Sequence, residues 1–502
     1  MLIIKILSTL CLTASFVQAV EKPTSLHSKT QRPNIVWIIP DDMSANFSCY
    51  GETAIETPHV DRLAKQGVQF TNAYVTAPVC STCRSAFITG MYQTAIGAHH
   101  HRSGRGELKI HLPKHIKLIP EYFQKAGYHT SISGWPPKGK RLGKTDYNFE
   151  WDQSIYDSND WANRKEGQPF FAQIQTAGGK LRGKDQVGWS KIGEQAEKIF
   201  RDRTPISVVT LPPYYPNHPD VLQDWAAYLD SVRLTDQMVG EVVERLKKEG
   251  VLENTLILFM TDHGISHARG KQFLYDEGIH VPLVIAGPGI QAGEIRNDLV
   301  EHIDIAALSL AAAGIEIPEY MQARDILAVD YHPREAVFSA RDRCDETVDH
   351  IRSVRTKDFK YIRNFLPQRP YLQPCAYKDA KGILIALREW HQAGKLNPAQ
   401  ELIFRDIRPR EELYDLKNDP FEINNLASNK KHNRTLLELR GKLDQWMDET
   451  NDQGRQPESK EMFESDMAVY LNTIRIRQKD PEHLKQIEKN IALMKKWAAA
   501  GK

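Results

Sequence analysis

The amino-acid sequence predicts an α/β protein, in which a large, mostly parallel sheet flanked by helices is followed by a smaller C-terminal α+β subdomain with an antiparallel sheet. Apolar runs of strand length at residues 34–40, 254–261 and 281–286 indicate buried strands. A helical pattern precedes the second run, and this order of helix and strand is typical of parallel sheets. From Glu335 onward the chain changes to short strand-like pieces with many charges and turns, which favours a separate antiparallel sheet.

The composition is that of an ordinary globular protein. Its 502 residues exceed one small domain but fit one large α/β domain with an appendage. Basic and acidic side chains number 66 and 64, so the net charge is close to zero. Because binding to nucleic acid or to an anionic membrane surface calls for a basic excess, neither partner is expected.

The first 19 residues have the pattern of a secretory signal peptide. Lys5 precedes an apolar run of about a dozen residues, which ends at the small-residue pattern Val17-Gln18-Ala19. The run is shorter than the roughly 20 residues of a membrane span, which disfavours the alternative of a buried or membrane-anchoring helix. We therefore expect cleavage after Ala19 and an exported protein, periplasmic or secreted, without stable membrane insertion.

Further elements follow in order along the chain. Residues 225–249 carry apolar side chains at helical spacing, and Gly250 follows at the position of a C-cap. The subdomain is predicted to contain strands at 336–340, 351–356 and 359–364 and a helix at 435–449. A Lys-rich helix follows at 480–499, which we interpret as a solvated helix face. The predicted division is a signal peptide at 1–19, a catalytic α/β domain at 33–335, an α+β subdomain at 336–450, and a polar linker with a helical tail at 451–502.

Two acidic pairs follow two of the predicted strands. The strand at residues 34–40 ends in Asp41 and Asp42, and the second strand run ends in Asp262 and His263. The carboxyl ends of parallel strands lie at one edge of a sheet, where loops form ligand sites. Adjacent carboxylates repel each other unless a cation neutralises them, so a hard divalent ion is the simplest partner. Surface carboxylates that cap helices are the alternative.

Cys80 is a candidate reactive side chain. Without the signal peptide the chain has five cysteines, an odd and sparse set for an exported protein. Cys80 and Cys83 form one C-x-x-C pair, but no second pair completes a zinc site. Cys80 lies in a turn that enters a helix, where unpaired N–H groups favour an anion, and Arg84 follows one turn later. A thiolate nucleophile and a structural cysteine both fit this spacing.

Residues 33–450 resemble a sulfatase of the alkaline phosphatase superfamily. The segment Cys80-Ser81-Thr82-Cys83-Arg84, followed by Thr89-Gly90, is similar to the family signature C-x-P-S-R…T-G. Asp-Asp upstream, Asp-His-Gly downstream and the segment at 413–426 fall in the family order. The resemblance implies an alkaline phosphatase-like fold and the oxidation of Cys80 to formylglycine.

The resemblance also implies a role for each site residue. Arg84 would orient the aldehyde hydrate, Lys271 would bind sulfate, and Lys144 would match a second lysine of the family site. One divalent cation would be held by Asp41, Asp42, Cys80, Asp262 and His263. Calcium is the expected ion; His263 stands where many family members have asparagine, and a nitrogen ligand also suits manganese or another transition ion.

Besides His263, the sequence departs from the family pattern in two further places. Thr82 and Cys83 replace the proline and serine of the signature, so maturation calls for a formylglycine-generating enzyme that accepts them or for a radical-type maturase. The histidine that usually follows the strand at Pro169-Phe170-Phe171 is missing, and Lys180 could replace it as a charge partner. Lys180 and His267 are the candidates for protonating the leaving group, with ordinary loop residues as the alternative.

Other residues are expected at the sugar. Asp345 and Glu346 lie in a segment, residues 339–354, that resembles the heparan N-sulfatases (sulfamidases), where it helps to bind the sugar; a charged turn is the alternative. His100 lies in a run of three histidines after the signature helix. Three consecutive histidines cannot all face one ion from regular structure, so contact with substrate or solvent is favoured over a zinc site.

The sequence thus predicts an exported, exo-acting sulfatase for a sulfated glycan of the glycosaminoglycan type, with N-sulfoglucosamine or a sugar O-sulfate at the chain end. Its expected partners are this carbohydrate and the maturase. A phosphodiesterase or phosphonate hydrolase of the same superfamily is one alternative, since Asp262-His263-Gly264 also fits it. A degenerate, sulfatase-like glycan-binding protein is the other.

Overall fold

The computed structural model describes residues 32–477 and 480–502. The predicted signal peptide lies outside these residues. Among the helices of the described residues, none has the length and apolar character that crossing a membrane requires.

A sheet of seven strands forms the centre of the large domain, in the order β3-β4-β1-β5-β6-β2-β7. The strands are β1 (Asn34–Pro40), β2 (Val68–Tyr74), β3 (His129–Ser133), β4 (Phe170–Thr176), β5 (Thr255–Met260), β6 (His280–Ala286) and β7 (Glu294–Glu301). Only β6 runs antiparallel to its neighbours, β5 and β2, while the other pairs of this sheet are parallel. The predicted large, mostly parallel sheet is therefore confirmed.

Helices cover both faces of this sheet. They are α1 (Pro58–Gln66), α2 (Cys80–Thr89), α3 (Ile119–Lys125), α4 (Gln186–Phe200), α5 (Pro219–Lys248), α6 (Asp276–Ile279) and α7 (Asp304–Ala312). The side chains of β1 alternate between two cores: Ile35, Trp37 and Ile39 pack with α2, α3 and α7, whereas Val36 and Ile38 pack with α1 and α5. A strand covered on both faces explains why β1 is apolar at every residue after Asn34.

The reversal at β6 has a local cause. A parallel connection needs a crossover segment, usually a helix, that passes over one face of the sheet. Between β5 and β6 the chain forms only the one-turn helix α6 and loops. It therefore returns to the sheet at the same edge, and the loops stay beside the ends of β1 and β5.

The predicted C-terminal subdomain is also confirmed. Four strands, β8 (Val337–Arg341), β9 (Ile351–Arg355), β10 (Phe359–Asn364) and β11 (Glu411–Asp415), form a separate antiparallel sheet in the order β11-β10-β9-β8. The remaining helices are α8 (Ala376–Asp379), α9 (Gly382–Gln392), α10 (Asn433–Glu449), α11 (Lys460–Arg477) and α12 (Pro481–Ala499).

The polar linker expected between residue 450 and the helical tail is corrected, because residues 460–477 form helix α11, which packs against α12. α11 and α12 share a small apolar core that includes Phe463, Met467 and Ile491. Asp466 of α11 forms a buried ion pair with Arg343, with 2.6 Å between Asp466 Oδ2 and Arg343 Nη2. The lysines of α12 are solvated as predicted, but its apolar face packs on the protein because burying that face stabilises the hairpin.

Candidate active site

Strands β1 and β5 place the two acidic pairs side by side. Asp41 and Asp42 follow β1, and Asp262 follows the neighbouring parallel strand β5. The Asp262 N–H donates to the Pro40 carbonyl at 3.1 Å, and the Asp42 N–H donates to Asp262 Oδ1 at 3.1 Å. Asp42 has a φ of 56°, a left-handed conformation that aspartate adopts more readily than most residues. The structure thus brings both pairs together at one edge of the sheet.

Cys80 is the first residue of α2, a helix in which every residue is buried. Val79 before it is extended, so the chain turns directly into the helix at Cys80. Gly90 ends the helix at a φ of 66°, where a Cβ atom would lie 2.6 Å from the Met321 side chain. Cys80 therefore lies at the helix N-terminus, where unpaired N–H groups and the positive end of the dipole favour an anion.

Asp42, Cys80 and His263 converge on one point. His263 Nε2 lies 3.1 Å from Cys80 Sγ and 3.2 Å from Asp42 Oδ1. His263 Nδ1 lies 2.9 Å from the Gly264 carbonyl oxygen, so this nitrogen carries the proton and Nε2 keeps its lone pair. Ligand atoms of the three residues lie within 4.8 Å of one another.

This donor set fits a divalent cation. The side chains of Asp41, Asp42 and Asp262 are 5%, 1% and 0% exposed. Carboxylates buried so close together repel one another, and a cation between them removes that cost. The three carboxylates and the imidazole of His263 offer oxygen and nitrogen donors, a mixture compatible with calcium and with manganese.

Arg84 bridges the carboxylates of Asp41 and Asp262, which lie on either side of the metal-binding set of side chains. Its guanidinium is fully buried and contacts Asp41, while its Nη2 lies 3.0 Å from Asp262 Oδ2. A further N–H donates to the Gln175 side chain. A guanidinium engaged on three sides cannot rotate freely, so Arg84 fixes the relative position of the two strands' carboxylates.

Three lysines bring positive charge to Cys80. Lys271 Nζ lies 3.1 Å from Cys80 Sγ, and Lys180 Nζ lies 3.5 Å from the same atom. Lys144 and Lys180 both donate to Asp41 Oδ2, at 2.9 Å and 2.6 Å. The structure thus places Lys144, Lys180 and Lys271, all predicted from the sequence, around one buried site.

Lys180 reaches the site because two glycines precede it. At Gly178, which has a φ of 48°, a Cβ atom would lie 2.3 Å from the Asp41 carbonyl oxygen. At Gly179 it would lie 2.2 Å from the Asp42 carbonyl oxygen. The Gly179 N–H donates to the Asp41 carbonyl at 2.8 Å. Only glycine permits this close approach of two backbones, which lets the lysine extend along the carboxylates.

The basic side chains of the site stabilise the negative charges of its buried acidic groups. Burial opposes ionisation of Asp41, but Arg84 and the lysines outweigh it and hold the pKa of Asp41 well below its usual range. The same balance lowers the pKa of Asp42. Burial, together with Asp41, raises the pKa of Asp262 to about 7. Burial also opposes the thiolate of Cys80, yet the lysines lower its pKa well below that of a free thiol. The site therefore favours an anion at residue 80.

The predicted substrate contact of His267 is not supported. This histidine is fully buried, with Nε2 2.5 Å from Asp224 Oδ1. The aromatic rings of Trp225 and Tyr215 pack against it. Burial lowers the pKa of His267 to about 4. Its imidazole orders Asp224 inside the fold and is not open to a substrate.

The structure does not support the predicted sugar contact of Glu346, whereas Asp345 remains available. Glu346 is fully buried, and its Oε1 accepts from the Ala376 N–H at 2.7 Å and from Asn490 Nδ2 at 2.8 Å. It therefore connects the subdomain to α12. Asp345, which is 7% exposed, lines a cavity beside helix α2.

Of the three consecutive histidines, His101 rather than His100 lies beside Cys80. His100 Nδ1 accepts a hydrogen bond from the backbone N–H of Arg343 at 3.2 Å. His101 Nδ1 lies 3.2 Å from Ser81 Oγ, directly beside Cys80, and His101 lines the same cavity as Asp345. Periodicity could not separate the two histidines, because the run lies in a loop.

Sequence reasoning also missed Tyr377 and Asp146. The Tyr377 hydroxyl lies 3.4 Å from Asp42 Oδ2, and Lys271 Nζ lies 5.2 Å from the centre of the Tyr377 ring. Asp146 Oδ2 lies 3.5 Å from Lys144 Nζ. Tyr377 belongs to no motif, so the sequence carries no signal for it; Asp146 follows Lys144 at a spacing of two residues, which is a weak one.

Two family models match the chain. The model described as "Sulfatase" matches residues 33–315, and the model described as "N-sulphoglucosamine sulphohydrolase, C-terminal" matches residues 263–371.

Similar proteins include characterised enzymes. An ulvan-active sulfatase of Formosa agariphila is 34% identical over 480 residues, which cover 88% of this chain and 78% of that protein. The N-sulphoglucosamine sulphohydrolase of Homo sapiens is 26% identical, over 84% of this chain and 90% of that protein. The solved structure of BT4656 with its substrate, D-glucosamine-2-N,6-O-disulfate, has a TM-score of 0.57 at 20% identity and covers 84% of this chain and 99% of that chain. This last likeness shows a shared fold.

Proposed function

The chain belongs to the sulfatase family, and we propose that this glycan sulfatase acts through Cys80 after its oxidation to formylglycine. The observation that carries the proposal is the position of Cys80. It lies at the N-terminus of a buried helix, 3.1 Å from His263 Nε2 and 3.1 Å from Lys271 Nζ. A nucleophile at this point faces both a metal-binding set of side chains and a cationic surface suited to sulfate.

The charges support an anionic substrate. The basic side chains in contact with the cluster are Arg84, Lys144, Lys180 and Lys271, and the carboxylates that they contact are Asp41, Asp42 and Asp262. The basic groups outnumber the carboxylates, and a divalent cation would increase the positive excess. A sulfate ester, whose sulfuryl oxygens gain charge in the transition state, is the kind of group that such a site stabilises.

The chemistry follows from residue 80. The hydrated aldehyde has two hydroxyl groups on one carbon. One loses its proton as its oxygen attacks sulfur, the bond from sulfur to the sugar oxygen or nitrogen breaks, and the sugar takes up a proton and leaves as the alcohol or amine. Loss of the proton from the second hydroxyl then expels sulfate and restores the aldehyde. A cation held by Asp41, Asp42, Asp262 and His263 would supply a positive charge that lowers the pKa of a hydroxyl group.

The lysines and Arg84 have separate tasks in this scheme. Lys271 and Lys180 neutralise sulfuryl oxygens, since both ammonium groups lie within 3.5 Å of Cys80 Sγ. Burial opposes the charge of Lys180, but Asp42 and Cys80 raise its pKa well above the usual value, so it serves as a charge partner. Arg84 positions Asp41 and Asp262 for the cation.

We further propose the substrate, the ion and the setting of the reaction. The substrate is a chain end that carries N-sulfoglucosamine or a sugar O-sulfate, in keeping with the sulfated sugars named for the similar proteins. Asp41, Asp42, Asp262 and His263 hold calcium, with manganese as the other fitting ion. The enzyme is exported with residues 1–19 as its signal peptide, and a maturase that accepts Thr82 and Cys83 produces formylglycine.

Peptide mass spectrometry of protein from its native host tests the nucleophile. Conversion of the Cys80 thiol to an aldehyde lowers the peptide mass by about 18 Da. An unmodified Cys80 in fully active protein would remove the proposed mechanism.

The reaction class is tested by comparing hydrolysis of aryl sulfates, N-sulfated sugars and phosphodiesters by the same preparation. The proposal expects sulfates to be preferred. A phosphodiester preference of about a thousandfold, about 4 kcal/mol in activation free energy, would favour the phosphodiesterase or phosphonate hydrolase alternative. Tight glycan binding without turnover of any substrate would favour the degenerate binding protein.

A further inference from the structure

A cavity of about 240 Å³ lies beside helix α2, which begins at Cys80. We call it the α11 pocket, because Tyr470, Thr473 and Arg477 of helix α11 form one of its walls. The opposite wall includes His101, Arg102, Asp146 and Asp345.

The α11 pocket adjoins the Cys80 site through two of its wall residues. His101 Nδ1 lies 3.2 Å from Ser81 Oγ, and Ser81 follows Cys80 in the chain. Asp146 Oδ2 lies 3.5 Å from Lys144 Nζ, whose ammonium group contacts the Asp41 carboxylate of the site. A group bonded to a sulfate at residue 80 would therefore extend into this pocket.

Helix α11 is held rigidly against the pocket. Arg343 is 1% exposed and forms ion pairs with Asp466 on α11 and with Glu458 just before it, each with a shortest distance of 2.6 Å. A buried, bidentate arginine restricts the helix to one position. Residues 460–477 lie beyond the segments that match either family model.

The wall groups suit a charged sugar. Asp146 Oδ2 and Asp345 Oδ1 are buried and have no hydrogen-bond partner among the described residues, so each can accept from a sugar hydroxyl. The Tyr470 ring is half-buried and offers an aromatic surface to the apolar face of a pyranose. Arg477 is exposed and has no ion pair within the part of the chain that the structure describes.

Arg102 adds a second cation to this wall. Its side chain is 48% exposed, and its guanidinium lies 3.7 Å from Asp345 Oδ1 and 3.9 Å from Asp146 Oδ1. These distances are beyond a good hydrogen bond, so Arg102 still has donors for a ligand. With Arg477 it gives the pocket two guanidinium groups available to an anion.

We propose that the α11 pocket binds the sugar that bears the reacting sulfate, and that α11 selects substrates with a second anionic group, a carboxylate or another sulfate. Tyr470 packs on the ring, and Arg477 binds the second anion. This inference rests on the proposed sulfatase reaction at Cys80 and names its substrate class.

Substitutions on α11 test the proposal. Arg477→Ala is compared with Arg475→Ala, a matched control on the same helix whose guanidinium pairs with Glu488 at 3.3 Å and does not line the pocket. Tyr470→Ala is compared with Tyr470→Phe, which keeps the ring. Each variant is assayed with D-glucosamine-2-N,6-O-disulfate, with its two monosulfated forms, with a disaccharide of N-sulfoglucosamine and a uronic acid, and with 4-nitrophenyl sulfate.

The proposal expects Arg477→Ala to raise KM about tenfold for the disulfate, the uronate disaccharide or both, with kcat and the monosulfated sugars changed less than about twofold. The disulfate and the uronate disaccharide distinguish sulfate from carboxylate as the second anion. Tyr470→Ala should raise KM for every sugar but not for 4-nitrophenyl sulfate, whereas Tyr470→Phe and Arg475→Ala should behave as the wild type.

Two results would contradict the inference about α11, and a third would contradict the proposed sulfatase function on which it rests. If Arg477→Ala leaves the KM for both dianionic substrates unchanged, or alters all substrates equally, α11 does not select an anion. If the wild type releases sulfate from none of the substrates, including 4-nitrophenyl sulfate, the proposed function fails and not merely the pocket assignment.

Discussion

Removal of the Lys271 charge gives the sharpest test of the site. Lys271 is 4% exposed, and its Nζ lies 3.1 Å from Cys80 Sγ. A sulfuryl oxygen at residue 80 would then lie about 4 Å from this ammonium group, where two unit charges at an effective dielectric constant of about 20 interact by about 4 kcal/mol. Lys271→Met keeps most of the side-chain volume and removes the charge. We expect kcat/KM to fall about a thousandfold.

The assay compares kcat/KM of Lys271→Met and of Lys117→Met, a control that removes one lysine from an exposed i,i+4 pair with Glu121. Mass spectrometry of residue 80 must accompany the kinetics, because the lysine also contacts the thiol that is to be oxidised. If the variant carries formylglycine like the wild type and loses less than about tenfold in kcat/KM, Lys271 does not stabilise the transition state as argued.

Three further perturbations test the rest of the site and the fold. Cys80→Ala should lower kcat/KM by at least about a thousandfold with the far-UV circular dichroism unchanged, and activity within about tenfold of the wild type would contradict a nucleophile at residue 80. Dialysis against a chelator should abolish sulfate release and lower Tm, calcium or manganese should restore both, and full activity after dialysis would exclude the cation. Burial lowers the pKa of His302 to about 3, below its unfolded value of about 6.5, so its contribution to stability is complete above pH 6.5 and is lost as the pH falls toward 3. His302→Gln should therefore avoid a loss of about 2 kcal/mol in unfolding free energy between pH 7 and pH 5, and parallel Tm profiles would contradict this account.

The sequence was sufficient for the parts of the fold that depend on local pattern. The apolar runs became β1, β5 and β6, and the acidic residues at the ends of β1 and β5 lie together as the geometry of a parallel sheet requires. The signature segment was recognisable by its resemblance to a family signature, and the structure buries every residue of the helix that begins at Cys80.

The remainder depended on packing between distant parts of the chain. His267 and Asp345 looked alike as polar loop residues, but the partners that bury His267, such as Asp224, lie on α5. Glu346 is paired with Asn490, more than a hundred residues later, which no local pattern reveals. The sequence predicts a polar linker where α11 lies, because its apolar residues are few, yet Phe463, Met467 and Ile474 pack in one core with α12.

The two glycines before Lys180 limit how this active site can change. A larger residue cannot replace Gly178 or Gly179 without a backbone shift, because a Cβ atom at either position would meet the carbonyl oxygen of Asp41 or Asp42. Any such exchange would first have to displace the backbone that carries two of the proposed metal ligands. The reach of Lys180 therefore depends on both glycines, and a search for enzymes that share this form of the site can use Gly-Gly-Lys after the fourth strand as its marker.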